Sequence, residues 1–259
     1  KMSRTGAARA ARSLSFGGCG WSMTWSLGFA ERLRSLEPLG KFAGASGGAL
    51  VASTLALGLD QGEVLLAMQD SATRLGEKGP YGALRNTGVE LRRMLDEILP
   101  PDANVTLSKS LTVSITLVDP LPRNELVSEF SSREDLMDAL FASSFIPYYI
   151  DGQPYTTFRG NPAIDGGVSN NSPIIDDDTF LISPFPGVPL IMPPYDACPF
   201  PKSRAYPLSF TLRNLAKLGL FPDPHQLKDL YHLGQDAAER FHKQDPSTPA
   251  WKGSFFYSK

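Results

Sequence analysis

Two short stretches hold residues whose types and spacing could carry out acyl transfer. Gly44-Ala45-Ser46-Gly47-Gly48 has the form Gly-x-Ser-x-Gly, which lets a serine sit on a sharp strand-to-helix turn with its hydroxyl exposed. Gly17-Gly18-Cys19-Gly20 lies shortly upstream and has the glycines a backbone needs to turn its N–H groups toward an anion. A candidate nucleophile and a candidate oxyanion hole so close together suggest an acyl-transfer enzyme. A serine hydroxyl is a weak nucleophile until a neighbour accepts its proton, so the rest of the chain must supply a base.

Three histidines and one carboxylate compete for that role. His225, His232 and His242 all fall within or beside the final helical stretch. The order nucleophile, acid, histidine of an α/β-hydrolase could be met formally. The spacing argues against it, because His225 follows Asp223-Pro224 at a helix start and the other two lie off the apolar stripe; solvated helix residues are the better reading. Asp165 follows Pro162-Ala163-Ile164 and precedes Gly166-Gly167, so a carboxylate ends a strand where backbone without side chains lets a partner approach. Taken alone, these residues favour a plain Asp-Gly-Gly turn.

The elements that must position these residues follow from periodicity. Ser13–Phe16 reads as a first core strand, and residues 21–36 as a helix with apolar residues on two faces, buried between layers. Residues 42–45 should form a strand leading straight into Ser46, and 49–58 a helix that is apolar nearly all round and therefore central. The amide dipoles at its N-terminus would favour negative charge beside Ser46. Amphipathic helices are expected over 61–75 and 87–99, the second stopped by Pro100-Pro101. Residues 111–117 alternate apolar and polar, a strand with one apolar face, and 125–130 reads as a weaker strand.

Ser131 and Ser132, with Glu134 and Asp135 three residues on, form capping-box starts for a helix ended by Phe145-Ile146-Pro147. Asp151-Gly152 between Tyr148–Ile150 and Tyr155–Thr157 gives a hairpin signal. Residues 179–183 read as a further strand, and Pro224 opens a last helix. The alternation of strands and helices indicates an α/β sandwich with a mainly parallel sheet.

A net charge of −2 without a basic stripe argues against nucleic acid as the main partner. No apolar run is long enough for a bilayer-spanning helix, so membrane contact would be peripheral. Cys19 and Cys198 are too few for a disulfide framework and read as free thiols in a reducing compartment. Residues 1–12 carry four basic residues and no acid and are expected to be a disordered basic tail, with a transit-peptide remnant as the alternative. Because it starts at Lys1, the chain is expected to be an excised or processed fragment. Residues 184–207, with eight prolines and one acid, read as an irregular loop or lid. Its apolar residues, Phe185, Val188, Leu190, Ile191, Met192, Tyr195 and Phe200, could dip into lipid or simply cover the sheet.

Together, Gly17-Gly18-Cys19-Gly20, Gly44-Ala45-Ser46-Gly47-Gly48 and Asp165-Gly166-Gly167-x-x-x-Asn171-x-Pro173 resemble the patatin-like phospholipase domain. Phe145-Ile146-Pro147, Ile182-Ser183-Pro184-Phe185, Asp196-Ala197-Cys198-Pro199 and Leu220-Phe221-Pro222-Asp223-Pro224 resemble its adipose triglyceride lipase and adiponutrin branch. The plant-type patatins have an arginine in the glycine loop, where this chain has Trp21-Ser22. The resemblance implies a three-layer α/β/α sandwich over residues 13–243, between the basic tail and a C-terminal tail at 244–259. It implies a Ser–Asp dyad of Ser46 and Asp165 without histidine, an oxyanion hole of the Gly18, Cys19 and Gly20 amides, and support from Gly17, Gly44, Gly47, Gly48, Gly166 and Gly167. No metal or cofactor is implied. The implied activity is hydrolysis of glycerolipid acyl esters, triacylglycerol favoured, at a membrane or lipid-droplet surface in the cytoplasm. An acyltransferase on the same dyad, or a non-catalytic lipid-binding relative, are the alternatives. A carboxylate is a poorer base than imidazole at neutral pH, so Asp165 is expected to work best if desolvated.

Overall fold

The computed structural model describes residues 11–79, 81–185, 196–197 and 220–253. Most of the proline-rich stretch, including Cys198 and all of its apolar residues except Phe185, lies outside them, as do residues 1–10 and 254–259.

Among the described residues, seven strands form one mixed sheet flanked by helices: β1 (Arg12–Phe16), β2 (Leu39–Ala45), β3 (Leu111–Leu117), β4 (Arg123–Val127), β5 (Thr156–Phe158), β6 (Asn161–Asp165) and β7 (Thr179–Ile182). Its order is β5-β6-β3-β2-β1-β7, with β4 also paired to β3. The central run β3-β2-β1-β7 is parallel, while β4, β5 and β6 join antiparallel.

The register on β3 decides where the site lies. β4 pairs with Val113 through Leu117 and therefore takes one whole edge of the upper strand. On the opposite edge, β2 reaches Ser114 through Ala45, and β6 begins at Ile115 through Asp165. One strand runs up that edge and the other runs down it, so their C-terminal ends meet at adjacent β3 residues. Ser46, the residue after Ala45, and Asp165 are brought together by this head-to-head arrangement although more than a hundred residues separate them in the chain.

Helix α1 (Met23–Leu36) follows a short 3-10 turn at Gly20–Ser22. Helix α2 (Gly47–Ala56) is buried from Gly47 through Leu55, as its apolar circumference predicts. It packs on β1, β2 and β3 and touches α1, α3 (Gln61–Gly76) and α6 (Arg133–Ser143). Helix α4 (Thr87–Ile98) and the short α5 (Ala103–Leu107) precede β3. The α6 capping box forms as expected: Ser132 Oγ accepts the Asp135 N–H at 3.1 Å, and the Asp135 carboxylate accepts the Ser131 N–H at 2.9 Å. Pro224 opens the final helix α7 (Pro224–Gln244), and the Asp223 side chain caps it through the His225 and Gln226 amides.

Four expectations change. The hairpin is β5–β6 rather than the pair flanking Asp151-Gly152, because Arg159 (φ 47°) and Gly160 (φ 79°) give the two left-handed residues that a tight hairpin turn requires. β1 begins at Arg12, which is buried, ion-paired to Glu37 at 3.2 Å and to Asp245 at 2.9 Å, and stacked over Phe180 and Phe241. Residues 245–250 are likewise docked: Asp245 and the Pro246 carbonyl hold Arg12, and the Ala250 N–H donates to buried Asp196 at 2.7 Å. Finally, most of the polar face of β3 is buried: Ser114 and Thr116 are as inaccessible as the apolar residues beside them, and Thr112 is half-buried. Ser114 and Thr116 lie under the segment that follows Asp165, bonding the Asn170 carbonyl at 2.9 Å and the Asp165 carbonyl at 2.8 Å.

Candidate active site

Ser46 adopts φ 54° and ψ −133°, a left-handed conformation costing a non-glycine residue roughly 1–3 kcal/mol. Neighbouring contacts hold it there. The Ser46 N–H donates to Ser143 Oγ at 2.9 Å, and the Ser143 hydroxyl donates to the Ser114 carbonyl at 2.7 Å. Ser143 at the end of α6 thus ties the turn to the central strand, a role that nothing in the spacing of Ser143 reveals. Ser143→Ala leaves the Ser46 amide and the Ser114 carbonyl without this hydroxyl. It is expected to cost about 1–3 kcal/mol, read as a lower melting temperature, together with a fall of up to about 100-fold in ester hydrolysis.

The motif glycines are sites of backbone contact. A Cβ on Gly44 would sit 2.4 Å from Gly48 backbone atoms, and one on Gly48 would sit 2.1 Å from the Phe16 carbonyl oxygen. A Cβ on Gly47 would lie 2.7 Å from the Gly20 oxygen. The turn at Ser46, the N-terminus of α2 and the glycine loop therefore touch through bare backbone. Gly17 donates its N–H to the Ile182 carbonyl at 2.8 Å, carrying the β1–β7 pairing into the loop. The Gly18 N–H is also committed, to Asn171 Oδ1 at 3.0 Å. This narrows the expected trio of anion-binding amides, since among the described residues only the Cys19 and Gly20 amides of that trio lack a protein acceptor.

Asp165 is buried at the end of β6. Its own N–H donates to the Phe145 carbonyl at 2.8 Å, and its Oδ1 accepts the Gly167 N–H at 2.7 Å. Burial pushes the carboxyl up to about 6, against the opposing pull of the nearby Ser46 hydroxyl and the Gly167 N–H. Gly166 is required for the approach to the sheet, because a Cβ there would come within 1.9 Å of the Ser114 carbonyl oxygen.

Cys19 is buried and unoxidised; burial first, and then the nearby Asp165 charge, drive its thiol well above the ordinary range. It is an inert thiol beside the site. The histidines stay away from Ser46: His225 and His232 are exposed, while His242 bonds Glu37 at 3.0 Å.

Ser46 opens onto an apolar cavity of about 60 Å³. Trp21, Met23, Leu50, Met68, Leu91 and Met94 are among the residues of its wall, and the thioethers give it an adaptable surface. Tyr149 closes one side. Its hydroxyl meets Trp21 Nε1 and Thr87 Oγ1, each at 3.3 Å, and donates to the Leu220 carbonyl. The sequence reading placed Tyr149 in a hairpin strand, so this latch went unseen.

A strained serine on a strand–helix turn, a buried carboxylate beside it and an apolar cavity are the equipment of an acyl-transfer enzyme acting on lipid. The patatin-like phospholipase family model matches residues 14–178, and the chain belongs to that family of lipid hydrolases and acyl-transfer enzymes. It is 34% identical over 244 residues to human patatin-like phospholipase domain-containing protein 4, covering 88% of this chain and 95% of that one. It is 33% identical to human omega-hydroxyceramide transacylase, covering 87% and 44%, and 35% identical to mouse 1-acylglycerol-3-phosphate O-acyltransferase Pnpla3, covering 75% and 47%. The chain thus spans nearly all of the first relative but under half of the other two. VipD from Legionella pneumophila shares the fold, with a TM-score of 0.50 at 15% identity over 91% of this chain and 67% of its own.

Proposed function

We propose that the chain is a serine lipid acyl hydrolase that cleaves fatty-acyl esters of glycerolipids, triacylglycerol foremost, with Ser46 as nucleophile and Asp165 as base. The observation that carries this reading is that β2 and β6 end at adjacent residues of β3 and so place the Ser46 hydroxyl beside a buried carboxyl raised to about 6, a value suited to accepting a proton near neutral pH.

Ser46 Oγ attacks the ester carbonyl carbon as its proton passes to Asp165. The oxyanion of the tetrahedral intermediate faces the Cys19 and Gly20 amides and the N-terminus of α2. Collapse breaks the bond to the alcohol, which leaves with the proton from Asp165, and the acyl chain remains on Ser46 in the apolar cavity. Water then gives a proton to Asp165 and adds its oxygen to the acyl carbon. Collapse releases the fatty acid, and Asp165 returns the proton to Ser46 Oγ. Substrate is drawn from a membrane or lipid-droplet surface by peripheral contact; among the described residues no helix is long and apolar enough to cross a membrane.

A second reading is favoured by the transacylase and acyltransferase named among the relatives: an alcohol replaces water in the second half-reaction. Product analysis with added monoacylglycerol separates the two, since transfer yields a new ester where hydrolysis yields only fatty acid.

The dyad reading predicts that kcat/KM falls as pH drops below about 6, where Asp165 binds its proton in the folded enzyme. A variant with His225, His232 and His242 all replaced by Gln should keep this profile and most of its activity. A folded triple variant without activity would return the base to histidine.

A further inference from the structure

Asn171 links the two halves of the site. Its Oδ1 accepts the Gly18 N–H at 3.0 Å. A Cβ on Gly18 would come 2.7 Å from that oxygen, and so would a Cβ on Gly167. The amide oxygen therefore fills a slot bounded by one glycine from the loop after β1 and one from the turn after Asp165. The residues just before Asn171 are hung from the sheet. Ser114 Oγ donates to the Asn170 carbonyl at 2.9 Å, Thr116 Oγ1 and Ser169 Oγ share a hydrogen bond of 2.7 Å, and Asn124 Nδ2 donates to Ser169 Oγ at 3.1 Å. A continuous chain of contacts thus runs from β3 and β4 through Asn171 to the glycine loop.

The loop needs such a tether. Three of its four residues are glycine, so its backbone has a wide range of accessible conformations. Donors to an oxyanion work only when held at hydrogen-bonding distance before the charge develops. An N–H already pointed at a side-chain carbonyl is also lost to the oxyanion, which takes Gly18 out of the anion-binding set.

We propose that Asn171 is a positioning residue that captures the Gly18 amide and so locks the glycine loop with the Cys19 and Gly20 amides facing the reacting carbonyl. This rests on the Ser46–Asp165 reading above. Asn171 plays its part in the reaction through the loop.

Two variants assayed with p-nitrophenyl butyrate test it. Asn171→Ala frees the loop and should lower kcat by about 100-fold, the effect of a misplacement near 1 Å, with KM little changed. Asn171→Asp keeps an oxygen acceptor for Gly18 but places a second carboxylate beside Asp165. The Asn171 and Asp165 oxygens lie 2.7 and 2.9 Å from the same Gly167 Cβ position, and a like charge that close disfavours ionisation. Its acid limb should therefore move to higher pH, with activity recovering toward wild type at alkaline pH. A merely structural residue would show neither the kcat-against-KM split nor the recovery of activity by an oxygen acceptor at alkaline pH.

Wild-type kcat in folded Asn171→Ala overturns the proposal, as does folded Asn171→Asp that is inactive at every pH or has the wild-type acid limb. If Asn171→Ala fails to fold, the Asn171→Asp profile decides alone. Full turnover by Ser46→Ala would instead overturn the underlying dyad, so the two failures are distinct.

Discussion

Asp165→Asn is expected to reduce ester hydrolysis by about 10²–10⁴-fold, the usual contribution of a positioned base, while making the folded protein more stable at neutral pH. The second half of the expectation follows from burial. The carboxyl is raised to about 6 in the fold against roughly 3.9 in the unfolded chain. Its contribution to stability is fully present below the unfolded value and is lost as pH rises through the folded one. At pH 7.5 the wild type must hold an ionised carboxylate in a buried site, and the neutral amide need not. Asparagine keeps an oxygen for the Gly167 N–H. The difference is up to about 3 kcal/mol at neutral pH, a rise of several degrees in melting temperature for a chain of this size. Below about pH 4 it should vanish. Thermal melts of both proteins at pH 4 and pH 7.5, beside hydrolysis rates, check both halves. A variant that loses activity and stability together at pH 7.5 would contradict the electrostatic account.

Gly48→Ala and Gly166→Ala are expected to destroy the folded protein, whereas Gly76→Ala should be tolerated. At the first two positions a methyl group would meet backbone, 2.1 Å from the Phe16 oxygen and 1.9 Å from the Ser114 oxygen. Both obstacles belong to central strands, β1 between β2 and β7 and β3 between β4 on one edge and β2 and β6 on the other. A side chain could rotate aside; a laddered strand cannot, so these clashes belong with the rare losses above about 4–5 kcal/mol. Nothing lies within 4 Å of the corresponding position at Gly76, at the exposed end of α3. Soluble yield and melting temperature of the three variants decide. Folded, stable Gly166→Ala protein would mean that Asp165 reaches β3 less closely than described.

Much of the frame was legible because the local signals were strong. Helix α2 and the strand before it follow from a run of apolar and small residues, and the Asp223-Pro224 and Ser132–Asp135 starts name their own caps. The pairing of Ser46 with Asp165 was legible only through the resemblance, since neither residue's local pattern records that β2 and β6 end on the same edge of β3. Long-range register is a property of the sheet and leaves no spacing to count. Ser143 and Tyr149 were missed for a related reason: a buried hydroxyl that bonds a distant backbone group looks like any other serine or tyrosine in the chain. Asn171 was noticed only as a fixed offset from Asp165, and its partner Gly18 lies far upstream. The misplaced hairpin had a local cause. Asp151-Gly152 is a stronger turn signal than Arg159-Gly160, but Pro147 and Pro154 flank the former and remove ladder donors.

Labelling Ser46 with a fluorophosphonate, followed by peptide mass spectrometry across pH 4–9, tests the central claim most directly. The dyad account predicts a single adduct on Ser46 whose rate of formation rises with an apparent pKa near 6. It also predicts that this rate collapses in Asp165→Asn and persists when the three histidines are replaced. Labelling of Ser46 at an unchanged rate in folded Asp165→Asn would contradict it.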